Sequence, residues 1–345
     1  MRNFASDNHA GVHPAVLEAL AAANDGRAGA YGTDAWTERV EELFRRHFGA
    51  DARGFPVFNG SGANVAVIDA LTRGFEAVIC TDVAHMHVDE CGAPERIAGA
   101  KLHTVSSHEG KLTAADLDRW ESRRGDDHHA QQRVVSITQV TELGTTYTVE
   151  ETRAIAERAH ELGMLLHVDG ARLANAAASL DVSLRELTTD CGVDALSFGA
   201  TKNGLAFGDA VVFLRPELAD GFEFVRKQLG QLASKMRFVS AQLEALLEGE
   251  LWLDNARHAN AMAARLAAAV AEFPAVEVLY PVEANAVFAI LPAAASERLR
   301  AELEGDPPFY VWDEDSGAVR WMCAWDTEPD DVDQFAAQIG AALRR

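Results

Sequence analysis

Short apolar runs alternate with amphipathic helical patterns through the middle of the chain, and this alternation restricts the fold more than any other feature. The segment 149–162, for example, places Ile155, Ala156, Ala159 and Leu162 on one face of a helix. The apolar runs of strand length are Ala77–Cys80, Val134–Thr138, Leu165–Asp169, Ala195–Gly199 and Ala210–Leu214. Strands that alternate with helices form a mostly parallel sheet covered by helices on both faces. The sequence therefore predicts an α/β fold with such a sheet.

The pattern changes near residue 250, which divides the chain of 345 residues into two predicted domains. Residues 223–248 have the pattern of one long helix. The predicted elements beyond it are a helix, three short strands and a last helix, at 251–273, 276–282, 286–291, 318–324 and 329–343. We therefore predict a large domain over residues 1–248, which includes the N-terminal segment, and a smaller α+β domain over residues 249–345.

Charge and cysteine content restrict the partners and the compartment. The formal net charge is -22, which argues against a nucleic-acid or anionic-membrane partner because phosphate binding needs a basic surface. The four cysteines form no C-x-x-C pair, so reduced thiols are expected. The N-terminus has no apolar signal core, and no stretch reaches the ~20 apolar residues of a membrane span. These features predict a cytoplasmic protein without a membrane segment.

The polar segment 123–132 brings together residue types that bind metals. It contains His128 and His129 beside Asp126 and Asp127. No predicted strand or helix fixes these side chains, so the pattern favours a solvated loop. We therefore predict no metal site.

Ionisable residues follow two of the apolar runs at their carboxyl ends. Asp169 ends one run, and Thr201 and Lys202 follow another. The spacing between them leaves room for one crossover helix, which would place them on neighbouring or nearly neighbouring strands. Because open α/β sheets bind ligands beyond the carboxyl ends of their strands, we expect Asp169 and Lys202 to face one site.

A lysine and a carboxylate at one sheet edge suit the chemistry of pyridoxal 5'-phosphate (PLP). A lysine amine binds the PLP aldehyde covalently, and a carboxylate beside the pyridine nitrogen keeps that nitrogen protonated. Arg172 follows Asp169 closely and can bond the ring oxygen or a substrate carboxylate. A surface cluster of ion pairs is the alternative, and each residue alone would favour it. Their joint position at strand ends favours the PLP site.

A glycine-rich turn over residues 57–64 adds a third component. It leads into a predicted helix over residues 65–71. Small residues at a helix N-terminus offer free backbone N–H groups to a phosphate, and Ser61 adds a hydroxyl. The turn alone is weak evidence, but it supplies the phosphate site that PLP requires.

Segments over nearly the whole chain resemble the low-specificity L-threonine aldolases, which are PLP-dependent enzymes of the aspartate-aminotransferase fold (fold type I). The most specific segment is His167–Arg172, followed about 30 residues later by Lys202. The other segments are Phe4-Ala5-Ser6-Asp7-Asn8, Ala30-Tyr31-Gly32, Phe58-Asn59-Gly60-Ser61, Ala84-His85, Thr201-Lys202-Asn203-Gly204, Lys235-Met236-Arg237 and Arg320-Trp321-Met322-Cys323.

The resemblance implies the cofactor contacts. Lys202 is implied to be the lysine that binds PLP, Asp169 the partner of the pyridine nitrogen, and Arg172 a contact of the ring oxygen or of the substrate carboxylate. His85 is further implied to stack on the ring, and Gly60 and Ser61 to bind the phosphate. Thr201 is implied to be another cofactor contact.

Substrate contacts and assembly are also implied by the resemblance. Ser6 and Arg320 resemble the ligands of the substrate carboxylate, although an internal acid is the alternative partner of Arg320. The family is usually a homotetramer, a dimer of dimers whose subunits share active sites. Arg237 resembles a phosphate contact from a neighbouring subunit, and Tyr31 lies in a segment that approaches such a site.

One departure from the family leaves the catalytic base open. Other branches carry a second histidine after the strand at 134–138, whereas this chain has Glu142 there. The unperturbed pKa of glutamate is about 4.3, against about 6.5 for histidine. The candidates for the base are His85, Glu142 and a bound water. Glu90 either bonds His85 or merely begins a helix.

The implied reaction is the retro-aldol cleavage of L-threonine or L-allo-threonine, small amino acids, to glycine and acetaldehyde. Other β-hydroxy-α-amino acids are further candidate substrates. The alternatives are another fold-type-I reaction (aminotransferase, β-eliminating lyase or racemase), a PLP-binding protein without turnover, and a structural protein without a cofactor.

Overall fold

The large sheet has seven strands and is mostly parallel, as predicted. The computed structural model describes residues 3–302 and 308–344. The strands of this sheet are β1 (Arg53–Val57), β2 (Glu76–Thr81), β3 (Lys101–Val105), β4 (Gln131–Thr138), β5 (Leu165–Gly170), β6 (Ala195–Phe198) and β7 (Asp209–Phe213). Their spatial order is β1-β7-β6-β5-β4-β2-β3. Strands β3, β2, β4, β5 and β6 are parallel, and β7 is antiparallel to both of its neighbours.

Helices cover both faces of this sheet. The α-helices in the described part of the chain are α1 (Pro14–Ala23), α2 (Ala35–Phe48), α3 (Gly60–Leu71), α4 (His85–Val88), α5 (Ala93–Ile97), α6 (Val149–Glu161), α7 (Leu173–Leu180), α8 (Phe222–Gln228), α9 (Arg237–Leu247), α10 (Leu251–Val270), α11 (Ala293–Glu302) and α12 (Pro329–Leu343). Adjacent strand residues such as Val134 and Val135, or Leu165 and Leu166, belong to two different hydrophobic clusters. Successive side chains of a strand point to opposite faces, so the sheet is buried on both sides, which explains its continuous apolar runs.

The single helix predicted over residues 223–248 is wrong. The structure has α8 and α9 there, separated by residues 229–236. Gly230 lies in this break with φ +70, the left-handed conformation that glycine tolerates and that ends many helices. The apolar pattern continues through the break, because Phe222 before it and Val239 after it are both buried, although in the two different clusters of the large sheet. The pattern alone therefore conceals the interruption.

A second sheet forms the small C-terminal unit. Its strands are β8 (Glu277–Val278), β9 (Ala286–Ile290), β10 (Tyr310–Asp313) and β11 (Ala318–Met322), in the antiparallel order β10-β11-β9-β8. One face packs on α10 and α12. On the other face Ala286, Phe288 and Met322 contact Leu143 of the large domain. This second face therefore lies over the loop that follows β4.

Our division of the chain at residue 248 remains a proposal, which the two separate sheets support. Helix α10 connects the units, since Trp252 belongs to the large-domain core and Leu266 to the small-domain core. The N-terminal segment also contacts the small unit. Phe4 lies in its core, and the Met322 N–H donates to the Phe4 carbonyl at 2.8 Å. The N-terminus thus joins the two units beside the cavity described below.

Across residues 3–302 and 308–344, no helix combines the length and the apolar character needed to span a membrane.

Candidate active site

A cavity of about 470 Å³ opens between the carboxyl edge of the large sheet and the small unit. Most of the predicted site residues line it. They are Ser6, Gly60, Ser61, His85, Glu142, Asp169, Arg172, Thr201, Lys202 and Arg320. The structure therefore brings together residues from the N-terminal segment, five parts of the large domain and one strand of the small unit.

Lys202 reaches the cavity from a short 3-10 turn after β6. Asp209, which sequence reasoning missed, accepts the Ala200 N–H at 2.7 Å and the Thr201 N–H at 3.0 Å and so fixes this turn. Burial lowers the pKa of Lys202, and the Arg172 charge lowers it further against the nearby carboxylates. A depressed pKa increases the fraction of neutral amine, the form that attacks a carbonyl carbon.

Asp169 is the penultimate residue of β5, the strand beside β6, as the spacing predicted. Its carboxylate is held from two sides. Asn64 of α3 donates to Oδ2 at 2.8 Å, and the Ala171 N–H donates to Oδ1 at 3.0 Å. The side chain is thus fixed at the sheet edge, and Asn64 is a second residue that sequence reasoning did not assign.

Helix α3 supplies an anion site at its N-terminus. It has 12 residues and begins at Gly60, with the Asn59 side chain accepting the Gly62 N–H at 2.7 Å. A Cβ on Gly62 would lie 2.4 Å from the Gln231 side chain, so a larger residue there would have to displace the Gln231 amide. The N–H groups of the first turn have no partners within the helix and, with the helix dipole, favour a phosphate.

His85 is oriented by a buried carboxylate. Its Nδ1 lies 2.9 Å from Oε1 of Glu90, whose side chain is fully buried. This hydrogen bond raises the pKa of His85 despite the opposing effect of burial. The Asn64 amide also donates to Oε1 of Glu90 at 2.8 Å. A continuous network therefore links His85 through Glu90 and Asn64 to Asp169. Of the two roles predicted for Glu90, the structure shows the bond to His85.

Glu142 lies in the loop after β4 with one oxygen bonded and one without a partner. Oε1 accepts the His85 backbone N–H at 2.8 Å, whereas the buried Oε2 has no hydrogen-bond partner among the described residues. Burial raises the pKa of Glu142 to about 7, against the lowering effect of the Thr138 side chain and of the His85 backbone N–H. A carboxyl group with this pKa can take up or release a proton near neutral pH.

Arg172 makes its strongest contact with an acid that sequence reasoning left without a role. Its Nε and Nη2 donate to the two oxygens of Asp7 at 2.6 and 2.9 Å. Burial alone would raise the pKa of Asp7, but the Arg172 charge and hydrogen bonds hold it at about 2. Asn285 of the small unit also donates to Asp7, at 3.2 Å. Nε and Nη2 of the Arg172 guanidinium are therefore bonded to Asp7, and Nη1 remains for a ligand.

The two predicted contacts of a neighbouring subunit do not line the cavity of the single chain. Tyr31 is 50% exposed and lies 4.7 Å from Lys227 Nζ, measured to its ring centroid. The half-buried Arg237 donates to the Gly26 carbonyl at 3.4 Å. Both residues are on the protein surface, where a second subunit could meet them.

The donors and acceptors of the cavity fit PLP. A buried amine, Lys202, faces the cavity together with the Asp169 carboxylate, and the N-terminus of α3 lies beside them. These groups match the aldehyde, the pyridine nitrogen and the phosphate of the cofactor, respectively. Lys202, Asp169 and Gly60–Ser61 are therefore the residues that would hold it, with His85 against the ring.

Comparisons with known proteins agree with this chemistry. The Beta-eliminating lyase family model matches residues 3–294. Low specificity L-threonine aldolases of a Pseudomonas species and of Pseudomonas aeruginosa are each 45% identical to this chain, covering 99% and 98% of it and 98% and 97% of their own lengths. The solved structure of a Leishmania major threonine aldolase superposes with a TM-score of 0.91 at 30% identity, covering 99% of this chain and all of that one. The chain therefore belongs to the beta-eliminating lyase family and, within it, to the low-specificity L-threonine aldolases, which use PLP.

Proposed function

We propose that this protein cleaves L-threonine and L-allo-threonine between Cα and Cβ, releasing glycine and acetaldehyde, and acts on other β-hydroxy-α-amino acids as well. One observation carries the proposal. A buried amine and a fixed carboxylate, Lys202 and Asp169, stand at the ends of adjacent parallel strands beside a helix N-terminus. The relatives that are 45% identical over nearly the full chain are named for this reaction.

PLP, when bound, supplies the electron sink that accepts the bonding electrons as the Cα–Cβ bond breaks. The chain must bind the substrate so that this bond is the one aligned with the sink. We assign the substrate carboxylate to Arg320, Ser6 and the free Nη1 of Arg172. The first two of these residues come from the small unit and the N-terminal segment, and both line the cavity together with Lys202.

A base must accept the β-hydroxyl proton, and the structure favours Glu142 over His85. Glu142 has an unpartnered oxygen, and its raised pKa suits proton transfer near pH 7. Glu90 raises the pKa of His85, which disfavours the neutral imidazole that a base requires. We therefore assign His85 to the ring face and Glu142 to the proton.

Purified protein supplied with PLP is expected to show a visible absorption band and to release acetaldehyde from both threonine diastereomers. The reaction should need no keto acid, because the proposed cleavage transfers no amino group. Acetaldehyde measured with and without a keto acid separates this activity from an aminotransferase. A band without acetaldehyde would contradict the aldolase assignment and favour another fold-type-I reaction or a PLP-binding protein without turnover.

We further propose a cytoplasmic homotetramer, a dimer of dimers, in which Arg237 and Tyr31 complete a neighbouring subunit's site. The exposed position of Tyr31 and the half-buried position of Arg237 support this assembly, and the four free thiols support a reducing compartment.

A mixture of two inactive variants tests the shared site. Lys202→Ala and Arg237→Ala, unfolded together and refolded at equal amounts, should regain activity in roughly a quarter of the sites, because each mixed dimer holds one site with both native residues. The acetaldehyde assay measures the recovery, and each variant refolded alone is the control. A mixture no more active than the separate variants would contradict the shared site.

A further inference from the structure

Arg320 projects from β11 as a cation that no acidic residue of the described chain pairs with. Within residues 3–302 and 308–344, its buried Nε has no hydrogen-bond partner, and its single hydrogen bond runs from Nη2 to the Ala5 carbonyl at 3.3 Å. Burial and the charge of Arg172 lower the pKa of Arg320 to about 10. The charges of Asp7 and Asp89 act against this lowering, but neither acid forms an ion pair with Arg320 in the described chain, and Asp7 is already bonded to Arg172. Arg320 therefore keeps its charge available toward the cavity.

Two aromatic rings hold this guanidinium instead. Its central carbon lies 5.0 Å from the Trp312 ring centroid and 5.8 Å from that of Tyr310. Both rings also line the cavity. A ring attracts a cation through its quadrupole and has no net charge, so it fixes the guanidinium without neutralising it. Arg172, with its bidentate carboxylate partner, shows the opposite arrangement.

The pairing of the small sheet explains how two rings meet one arginine. Tyr310 lies directly opposite Arg320 across the β10–β11 ladder. The register shifts between Val311 and Asp313, so Trp312 is an extra residue on β10, and such bulges redirect side chains. On the other side of Arg320, its β9 partner Phe288 meets the Trp312 ring edge-on at 5.3 Å and 85°.

We propose that Tyr310 and Trp312 are positioning residues that hold Arg320 by stacking, so that its unneutralised guanidinium binds the free carboxylate of the substrate. The proposal rests on the proposed function only through the assignment of Arg320 to that carboxylate. It also defines the substrate class, since amino acids whose α-carboxylate is esterified or amidated lack the anion that Arg320 requires.

Glycine and methylamine test the proposal, because they differ only by the carboxylate. The dissociation constants of both for the PLP-loaded enzyme are measured from the change in its visible spectrum. Trp312→Leu should weaken glycine about 10-fold, equivalent to about 1.4 kcal/mol, and leave methylamine within about 2-fold. Trp312→Phe, which keeps a ring, should restore most of the glycine affinity. For threonine the KM should rise about 10-fold with kcat changed less than about 3-fold, as expected for lost ground-state binding.

A double-mutant cycle distinguishes rings that position Arg320 from rings that merely line the cavity. In an Arg320→Lys background the cation no longer stacks as a plane, so Trp312→Leu should cost less than about 2-fold in glycine affinity. An equal cost in both backgrounds, or an equal loss of glycine and methylamine, would overturn the proposal. Tyr310→Leu is measured in the same cycle, so the test stands if Trp312→Leu does not fold.

Failure of this inference can be told from failure of the proposed function. Wild-type enzyme that binds glycine tightly but releases no acetaldehyde would refute the aldolase activity, while the glycine measurements still decide the role of the rings. Cleavage of threonine with unchanged glycine binding in Trp312→Leu and Tyr310→Leu would keep the activity and refute the positioning role.

Discussion

Lys202→Ala is expected to abolish both the visible absorption band of bound PLP and the release of acetaldehyde, with kcat falling by about 10³-fold or more. Among the described residues that line the cavity, Lys202 is the sole lysine. Its amine is desolvated and lies near the charge of Arg172, both of which lower its pKa and make it a nucleophile. Without it, the cavity offers no group that can bind the PLP aldehyde covalently.

The matched control for this variant is Lys101→Ala. Lys101 is exposed on the edge strand β3, away from the cavity. This variant should keep the absorption band and the activity of the wild type, and circular dichroism should show that both variants fold. Wild-type turnover by a desalted Lys202→Ala sample would refute the role of Lys202.

Lys202 and Asp169 were predictable because a simple rule joins local pattern to position. Each follows a fully buried apolar run, and the carboxyl ends of parallel strands share one edge. The structure confirms that these two runs are the adjacent strands β5 and β6. Pattern and position together were sufficient to predict this part of the cavity.

Asp7, Asn64 and Asp209 were not assigned because their importance appears only in tertiary contacts. Asp7 bonds Arg172, which lies far along the chain, and Asn64 bridges Glu90 and Asp169. No local spacing encodes such pairs, and Asn64 looks like an ordinary residue near the start of a helix. Each of these residues is buried and polar, and it is burial, which sequence does not reveal, that would have drawn attention to them.

The small unit was less predictable than the large one. Strand β10, which carries Tyr310 and Trp312, was missed although its aromatic and β-branched residues are typical of a strand; its four residues are exposed or half-buried. Residues 276–282 were predicted as one strand, whereas β8 covers Glu277–Val278 alone. Short antiparallel strands depend on cross-strand neighbours more than on their own sequence.

The base assignment is decided by the pH dependence of kcat/KM. In the wild type this parameter should rise with pH through about 7, because burial raises the pKa of Glu142 to that value and only the ionised carboxylate can accept a proton. Glu142→Gln should remove this rise and lower the plateau by about 10²–10⁴-fold. The profile is measured as acetaldehyde release from L-threonine between about pH 5.5 and about pH 9.

Thr138→Val serves as a control and also tests in which direction the rise of kcat/KM moves along the pH axis. The Thr138 hydroxyl lowers the pKa of Glu142, so its removal should shift the rise of kcat/KM to higher pH while leaving the plateau near the wild-type value. His85→Asn should keep PLP and slow cleavage but leave the position of the rise unchanged, because the backbone N–H that bonds Glu142 is still present. If the rise instead persisted in Glu142→Gln and vanished in His85→Asn, the imidazole would be the base. Glu142 would then act only through its hydrogen bond to the His85 backbone.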